Sequence, residues 1–397
     1  MIFMEGGGWC GSDADCVSRS LTDLGSSSKY PQMMANAEGE GLYAQFATFS
    51  IVYMKYCDGG SFTGDVDAPV VVKSQKTTTT IFYRGRRILD ALFEELLALR
   101  GLDKANQLLF AGCSAGALTT YVHADYVSEL MSRRVPGVVT VALADAMFSL
   151  HHDAFPADAH NYYTQQFTWG YEAWNSSASI NQRCRAAYGG GQAAWQCFHG
   201  AVAAQYVETP LFIANSKYDT WQARGVLGLN TTGCPASVAP DGTVNLCWTN
   251  TSNALAEARF WVAYGDSMVA ALNNSLLSRR HAAFLTNCPT HCQTDPTGFR
   301  HPASPGTALG VAVKQWYPQA IKNARDASWK APRWVAADGD KCLLEPAAPE
   351  PACSGPLNET TQCKYDAGKG LQQMACPWDQ PLCKGFVEGK AWGHCCK

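Results

Sequence analysis

The sequence contains no run of apolar residues long enough to span a lipid bilayer. A transmembrane helix needs roughly 20 consecutive apolar residues, and no stretch of the 397 residues comes close to that length. We therefore predict no transmembrane segment. A strong charge of either sign is missing too, since the formal net charge is only -3. This balance argues against a protein that binds nucleic acid or an acidic membrane surface.

A secretory signal peptide is also missing from the start of the sequence. Residues 1–4 are apolar, but Glu5 and three glycines follow them at once. A signal peptide has a charged region, a longer apolar stretch and a cleavage site, and none of these is present. Either the protein is not secreted or residues are missing upstream. We favour missing residues, because the cysteine content indicates secretion.

Cysteine is abundant, with 17 residues in the chain. Proteins of a reducing cytosol rarely carry so many cysteines without a metal-binding motif, whereas disulfide-bonded secreted proteins do. Asn-x-Ser/Thr tripeptides, the acceptors for N-glycosylation, indicate the same compartment. They begin at Asn175, Asn230, Asn250, Asn273 and Asn358. We therefore predict a secreted or lumenal protein, and the odd cysteine count agrees with a partner lost upstream.

Residues 1–335 alternate strand-like and helix-like patterns, which is typical of an α/β domain with a mostly parallel sheet and helices on both faces. Apolar runs predict strands at 1–4, 50–56, 107–111, 138–143 and 210–214. Helical spacing predicts helices at 81–100, 115–133, 254–278 and 306–317. The aromatic-rich region 154–204 is predicted to be a lid inserted over the sheet.

The segment 340–397 differs in composition from the rest of the chain, because it holds seven cysteines and many Pro and Gly residues. About sixty residues bury too little apolar surface to fold easily without cross-links, so we predict a small disulfide-rich module. A disordered tail with stray cysteines is the alternative. As a module, the segment is expected to bind carbohydrate or protein.

The stretch Gly112-Cys113-Ser114-Ala115-Gly116 fits the G-x-S-x-G pattern of a nucleophile elbow. It lies between a predicted strand and a predicted helix, which is the context that this sharp turn requires. Glycines two residues before and after the serine leave room for the neighbouring strands, and the Ala115 N–H at the helix start can stabilise an oxyanion. A plain glycine-rich turn is the alternative, because the pattern is short.

A nucleophilic serine needs a histidine base and an acid that orients the base, and in this fold class they follow in the order Ser, Asp, His. Asp219 lies just after the predicted strand 210–214, and Asp145 is its rival. We favour Asp219, because the acid usually follows a later strand than the one after the nucleophile. His291 is our candidate base, because it is downstream of the acid and lies between Cys288 and Cys292, which would hold its loop rigid.

The other histidines are expected to be structural or surface residues. His123 lies on the helix after the elbow, and His151, His152 and His160 lie at the predicted lid. The pattern Cys-x-x-His-Cys at 288–292 resembles part of a zinc site, but no second cluster supplies the remaining ligands. We therefore predict no metal.

A second oxyanion donor is expected from Glu5-Gly6-Gly7-Gly8-Trp9, which follows the first predicted strand. A glycine-rich loop at this position can turn its N–H groups toward a substrate, as the HGGG loops of lipases and esterases do. A phosphate-binding loop is the alternative. Neither the Gly-Lys-Ser/Thr ending nor a G-x-G-x-x-G helix start is present, so we discount it.

Six blocks of the sequence, in the same order, resemble those of the pectin acetylesterases and the related Notum carboxylesterases. They are EGGGWC (5–10), KYCDGGSFTGD (55–65), YRGRRI (83–88), GCSAGA (112–117), SKYDTWQ (216–222) and NCPTHCQ (287–293). The resemblance implies an α/β-hydrolase fold with a triad and an oxyanion hole and without a metal or organic cofactor. The implied triad is Ser114, Asp219 and His291, and the implied oxyanion-hole residues are Gly7, Gly8 and Ala115.

The sequence departs from this family in three places. The family has an upstream segment with a signal peptide, a strand and a cysteine-bearing loop, so Cys57 is expected to lack its partner here. Ala117 replaces a glycine that pectin acetylesterases carry just outside the elbow pattern. The cysteine-rich segment 340–397 is not part of the family core.

The resemblance implies acyl transfer through an acyl-enzyme on Ser114. Since the family acts mostly on polysaccharides, we predict removal of acetyl groups from a polysaccharide such as pectin. Deacylation of a lipidated protein, as by Notum, is one alternative, and a catalytically silent glycan-binding protein is another. The lid aromatics fit a sugar platform, an acyl pocket or plain packing of the lid. They include Tyr162, Tyr163, Phe167, Trp169 and Trp174.

Overall fold

The computed structural model describes most of the first 331 residues and a few short strands beyond them. The described ranges are 1–30, 41–73, 77–154, 161–229, 237–238, 244–245, 254–277, 280–286, 290–294, 308–326, 328–331, 334–335, 384–387 and 390–393. Within these ranges the chain forms one large sheet, three two-stranded sheets and ten α-helices.

The large sheet has seven strands, and all neighbouring strands in it run parallel. In chain order the strands of the described residues are β1 (Ile2–Met4), β2 (Val52–Met54), β3 (Val70–Lys73), β4 (Thr78–Ile81), β5 (Gln107–Cys113), β6 (Val139–Asp145), β7 (Leu211–Ser216), β8 (Ser237–Val238), β9 (Val244–Asn245), β10 (Ala282–Thr286), β11 (Trp334–Val335), β12 (Lys384–Val387) and β13 (Lys390–Gly393). The order in the large sheet is β11-β10-β7-β6-β5-β1-β2. The predicted parallel α/β sheet is confirmed.

Helices cover both faces of this sheet. In chain order they are α1 (Asp13–Ser20), α2 (Gly41–Gln45), α3 (Gly85–Leu99), α4 (Ala115–Arg134), α5 (Tyr162–Ala173), α6 (Gln182–Ala187), α7 (Gly200–Ala203), α8 (Thr220–Gly225), α9 (Ala254–Leu277) and α10 (Ala308–Asn323). On one face, α2 and α10 pack against the sheet, and on the other face α3, α4 and α9 do so. Central strands are therefore apolar on both sides, which explains the unbroken apolar run of β5.

Helix α3 packs through residues spaced four apart, so that they share one face. They are Leu89, Phe93 and Leu97, and the ring of Phe93 lies 6.4 Å from that of Phe110 in β5. Full burial of each such side chain stabilises the fold by about 1.5–3 kcal/mol. The helix begins later than the predicted residue 81, because the threonine-rich residues before it form β4, which pairs antiparallel with β3. β-branched threonine favours a strand.

Helix α10 extends beyond its predicted end at residue 317 and continues through Pro318. Proline removes one N–H donor from a helix, but Trp316 and Ala320 are buried against the sheet on either side of it and hold the helix in place. Strand β10 is absent from the sequence-based prediction. A five-residue apolar run such as AAFLT fits a buried helix segment equally well.

The chain between β6 and β7 forms the predicted lid region, with α5, α6 and α7. The disulfide between Cys184 and Cys197 cross-links it. None of the helices in the described ranges is both long and apolar enough to cross a membrane. Of the predicted module 340–397, the antiparallel pair β12–β13 is described, and the rest lies outside the described residues, as do Asn230, Asn250 and Asn358.

Candidate active site

Ser114 lies on a strained turn between β5 and α4. Its φ of 58° and ψ of -123° fall outside the regions that non-glycine residues normally adopt. A Cβ at Gly112 would lie 2.4 Å from the Gly116 carbonyl oxygen, and a Cβ at Gly116 would lie 2.0 Å from the Met4 carbonyl oxygen. Only glycine fits at either position. The turn therefore has the sharp strand-to-helix geometry of a nucleophile elbow.

The glycine-rich loop after β1 packs directly against this turn. A Cβ at Gly6 would lie 2.9 Å from the Cys113 carbonyl oxygen and 3.1 Å from the Ser114 Cβ. The next two residues, Gly7 and Gly8, have φ values of 135° and 67°, which glycine adopts readily and other residues rarely do. The backbone that carries the predicted oxyanion donors is therefore adjacent to the serine.

Charged side chains fix the path of this loop. Glu5 accepts a hydrogen bond of 2.7 Å from the Tyr56 N–H and forms an ion pair with Lys55. The Arg19 guanidinium donates to the Gly7 carbonyl oxygen at 2.9 Å. These contacts hold the loop at its start and at its middle, so that its backbone is in place before a substrate binds.

Ser61 connects the glycine loop to the elbow. Trp9 Nε1 donates to Ser61 Oγ at 2.6 Å, and Ser61 Oγ donates to the Ala115 carbonyl oxygen at 2.8 Å. Ser61 is fully buried and has a φ of 52°. Ser61 lies in the family-like block KYCDGGSFTGD (55–65), but the sequence does not reveal its role, because its two partners lie 52 and 54 residues away.

Asp219 and His291 are in direct contact. The two carboxylate oxygens of Asp219 lie 3.0 and 2.9 Å from His291 Nδ1. Asp219 also caps α8, because its Oδ1 accepts hydrogen bonds from the N–H groups of Trp221 and Gln222. The carboxylate is buried, whereas the histidine side chain is 19% exposed. With Nδ1 bonded to a carboxylate, the proton lies on Nδ1, and Nε2 is the nitrogen that can accept a proton.

A disulfide fastens the histidine loop to the elbow. It joins Cys113 and Cys292, which are 179 residues apart and have a Cα–Cα distance of 5.6 Å. Because Cys113 precedes Ser114 and Cys292 follows His291, the bond holds the loop of the predicted base at the end of the strand that leads to the predicted nucleophile. The sequence predicts a loop held by Cys288 and Cys292. Cys288 lies outside the described residues, and Cys292, as a disulfide, does not supply a thiolate to a metal.

Two other cysteine positions bear on the glycine loop. The disulfide between Cys10 and Cys16 fixes the chain just after it. Cys57, which is expected to lack a partner, forms no disulfide with any described cysteine. Its half-buried thiol interacts with the Tyr30 hydroxyl, and burial raises its pKa.

Asp145, the rival acid, has other partners. Its Oδ2 accepts hydrogen bonds from the N–H groups of Gln293 and Thr294, both at 2.6 Å, and from the Thr294 hydroxyl at 2.8 Å. Complete burial raises the pKa of Asp145 to about 7. These hydrogen bonds go to the loop that carries His291, and sequence reasoning, which treats Asp145 only as an alternative acid, misses them.

The other histidines among the described residues have partners in the core and the lid. His123 is buried, with Nε2 at 3.0 Å from the Phe62 carbonyl oxygen, and burial lowers its pKa to about 3. His199 is buried as well and has a similar pKa, and its ring stacks on that of His151 at 5.4 Å. His160 lies outside the described residues.

Aromatic rings pack beside the elbow. The ring of Trp9 makes edge-to-face contacts with Tyr163, Phe167 and Trp221 at centroid distances of 5.6, 5.0 and 5.3 Å. The ring of Trp221 lies 6.2 Å from that of His291 at an angle of 29°. Tyr163 and Phe167 have no exposed surface, so these two lid residues serve packing.

The pectinacetylesterase family model matches residues 1–332 of this chain. The chain belongs to the pectinacetylesterase family. The match spans the glycine loop, the elbow, Asp219 and His291, and covers more than four-fifths of the chain. Membership in this family makes the protein a carboxylic ester hydrolase.

Two plant proteins illustrate the similarity. Pectin acetylesterase 11 of Arabidopsis thaliana is 28% identical over 332 residues, which cover 80% of this chain and 78% of the relative. Pectin acetylesterase 5 of the same plant is 29% identical over 338 residues, which cover 80% of this chain and 71% of the relative.

The similarity to NOTUM proteins is shorter. The palmitoleoyl-protein carboxylesterase NOTUM of Schmidtea mediterranea is 26% identical over 236 residues, which cover 56% of this chain and 42% of the relative. The zebrafish (Danio rerio) notum1a is 29% identical over 251 residues, covering 59% of this chain and 47% of the relative. The chain therefore spans less than half of these relatives.

Proposed function

We propose that this member of the pectinacetylesterase family is a secreted serine esterase that removes acetyl groups from a polysaccharide such as pectin. The observation that carries the proposal is the contact of the Asp219 carboxylate with Nδ1 of His291, in a loop that a disulfide fastens next to Ser114. An imidazole oriented in this way is what a serine nucleophile requires of its base.

In the first half of the reaction, Ser114 Oγ attacks the carbonyl carbon of the acetyl ester while His291 Nε2 takes the hydroxyl proton. Asp219 keeps the other proton on Nδ1 and stabilises the imidazolium. The backbone N–H groups of Gly7, Gly8 and Ala115 stabilise the negative charge on the carbonyl oxygen. The sugar hydroxyl then leaves with the proton from His291, and the acetyl group stays on Ser114.

In the second half, water takes the place of the sugar hydroxyl. His291 removes a proton from the water, whose oxygen attacks the acetyl carbonyl carbon, and acetate leaves as Ser114 regains its proton. Three side chains, the ester and water account for every proton and electron pair in these two reaction steps. The reaction therefore requires no cofactor.

The packing of the lid favours a short acyl group. A side chain without exposed surface cannot line a cavity wide enough for an acyl chain, and Tyr163, Phe167 and Trp174 are completely or almost completely buried. The rings next to Trp9 thus contact one another instead of forming the wall of an open channel. The longer similarity to the two plant pectin acetylesterases favours the same substrate class.

Secretion is supported by the cross-links. The described residues contain three disulfides, which persist in oxidising compartments and are rare in the cytosol. Of the Asn-x-Ser/Thr acceptors in the described ranges, Asn175 and Asn273 are both exposed. Their side chains therefore lie on the surface, where a glycan can be accommodated.

Hydrolysis of p-nitrophenyl acetate, butyrate and octanoate tests the proposal, together with release of acetate from acetylated pectin. We expect the highest kcat/KM with the acetate ester and loss of both activities in Ser114→Ala. Preference for octanoate would support the long acyl chain named in the NOTUM relatives. Full activity in Ser114→Ala, or none in a folded wild type that binds pectin, would overturn the serine-esterase proposal.

A further inference from the structure

The segment 290–294, which carries His291, is held in a conformation that it does not prefer by itself. Cys292 has a φ of 61° although it is not glycine, and such residues keep this conformation only where their surroundings impose it. Two attachments on neighbouring strands impose it here. One is the disulfide from Cys292 to Cys113 at the end of β5, and the other is the carboxylate of Asp145 at the end of β6.

The two attachment points form one unit. Cys113 and Asp145 are direct partners in the register of β5 and β6, and the Ser114 N–H donates to the Asp145 carbonyl oxygen at 3.0 Å. Asp145 therefore binds the elbow through its backbone and the histidine loop through its side chain.

The carboxylate binds the loop with a specific geometry. A single oxygen, Oδ2, accepts from two successive N–H groups and from the Thr294 hydroxyl, with distances of 2.6 to 2.8 Å. The other oxygen, Oδ1, has no hydrogen-bond partner among the described residues. Complete burial of a carboxyl group costs free energy. The hydrogen bonds to Gln293 and Thr294 are the interactions that offset this cost.

We propose that Asp145 is a positioning residue for His291. By accepting hydrogen bonds from the two residues that follow Cys292, it keeps the imidazole in contact with Asp219 and close to Ser114. The proposal rests on the proposed serine-esterase function. It assigns Asp145 no contact with the substrate. Asp145 acts only through the position of the imidazole and, once it is ionised, through its negative charge.

The charge of Asp145 gives the proposal a signature in the pH profile. The titratable groups that face this carboxylate among the described residues are His291 on the loop and Tyr121 on α4. A negative charge nearby favours the imidazolium form of His291. Because burial raises the pKa of Asp145 to about 7, this charge is present only in the upper part of the acid limb of the kcat/KM profile. Replacing the carboxyl by an amide that keeps the hydrogen bonds therefore moves that part of the limb to lower pH, which a purely structural residue would not do.

The chain offers a matched control at the opposite end of the sheet. Asp125 of α4 accepts hydrogen bonds of 2.9 Å from the N–H groups of Glu208 and Thr209 and from the Thr209 hydroxyl. These residues precede β7, whereas residues 293 and 294 follow β10. Asp125 therefore accepts hydrogen bonds from the same kinds of donor, two successive N–H groups and a threonine hydroxyl, but at the end of the sheet that is far from the candidate site.

The test compares Asp145→Ala, Asp145→Asn and Thr294→Val with Asp125→Ala, Asp125→Asn and Thr209→Val. For Asp145→Ala we expect kcat for p-nitrophenyl acetate to fall about 100-fold with little change in KM, the size of effect that a displacement near 1 Å causes. For Asp145→Asn, whose amide oxygen can accept the same bonds, we expect a smaller loss and the shifted acid limb. Thr294→Val should lower kcat a few fold, and the Asp125 and Thr209 variants should match wild type.

A second readout does not depend on esterase activity. The proton between His291 Nδ1 and Asp219 gives a downfield proton NMR signal, which we expect to weaken in Asp145→Ala and to persist in Asp125→Ala. If the wild type proves inactive, this signal still tests the positioning role. Were Asp145→Ala unable to fold, Asp145→Asn and Thr294→Val would decide. Wild-type kcat, pH profile and NMR signal in both of these variants would overturn the proposal.

Discussion

The backbone conformation differs between the two ends of the central sheet. At the carboxyl end, Ser114, Ala146 and Cys292 have positive φ although none of them is glycine. At the amino end, positive φ occurs at Gly101 and Gly137, where nothing lies within 4 Å of an added Cβ. The amino end thus follows local backbone preferences. The carboxyl end gives up stability to hold a particular geometry, as functional sites do.

The carboxylates of the two ends differ as well. Asp125 at the amino end is partly exposed and forms an ion pair with Arg183 on the surface. Asp145 and Asp219 at the carboxyl end are completely buried, where they bind backbone N–H groups and His291. Buried carboxylates are costly and are concentrated at sites that use them. The comparison supports the proposal that catalysis takes place at the carboxyl end of the sheet and that the amino end has a structural role.

Replacement of Ser114 by alanine should produce the largest difference in activity between a variant at the carboxyl end of the sheet and one at the amino end. We expect kcat for p-nitrophenyl acetate to fall by at least about 10⁴-fold, because the nucleophile is lost. The thermal unfolding midpoint should change little. Ser132→Ala is the matched control, because Ser132 is an exposed serine near the other end of α4. Equal activity of the two variants would contradict the assignment.

Asp219→Asn should come next in size. Asparagine caps a helix about as well as aspartate, so α8 should keep its cap. The amide, however, cannot hold the proton on His291 Nδ1, and kcat should fall about 10³- to 10⁴-fold. Steady-state kinetics and circular dichroism together separate the two effects. Asp125→Asn should keep wild-type kcat, and a comparable loss in both variants would break the comparison.

Alanine at the glycines of the two ends should affect stability unequally. In Gly116→Ala, the new Cβ would meet the Met4 carbonyl oxygen at 2.0 Å, and we expect a loss of about 3 kcal/mol in the free energy of unfolding, since backbone must move. In Gly137→Ala, space is open and only the left-handed conformation is unfavourable, at about 1 kcal/mol. Urea denaturation of both variants measures the difference. Equal losses would mean that the elbow is not sterically constrained.

The last prediction concerns the pH dependence of stability. Burial raises the pKa of Asp145 from 3.8 to about 7. Between these values the folded protein holds a proton that the unfolded chain releases, so this group lowers stability as the pH rises through the window. Asp145→Asn carries no such proton. The stability of the variant relative to wild type should therefore rise from pH 4 to pH 7, and a constant or falling difference would contradict the buried state of this carboxyl.

Local patterns in the sequence predict the elbow well. The G-x-S-x-G pattern and the apolar run before it depend on neighbouring residues only, so the start of β5, Ser114 and the start of α4 lie where expected, although β5 continues two residues beyond its predicted end at 111. The start of α3 is predicted four residues early, because apolar spacing does not reveal that residues 78–81 pair with β3. Local patterns therefore do not predict an element whose structure depends on pairing with another strand.

Long-range contacts are beyond the reach of the sequence. The disulfide between Cys113 and Cys292 joins residues 179 positions apart, and 17 cysteines allow far too many pairings to choose among. The order of residues along the chain favours Asp219 over Asp145 as the acid. The hydrogen bonds of Asp145 to residues 293 and 294 depend on the register of β5 and β6 and on the path of the loop after β10. Both are visible only in the folded structure.

Acid quenching of the protein during turnover of p-nitrophenyl acetate, followed by peptide mass mapping, tests the central claim most directly. The account predicts one acetyl group on the peptide that contains Ser114 in wild type and none on this peptide in Ser114→Ala. Continued release of acetate with no acetylated Ser114, at the same rate in both proteins, would contradict the acyl-enzyme and with it the assignment of chemistry to the carboxyl end of the sheet.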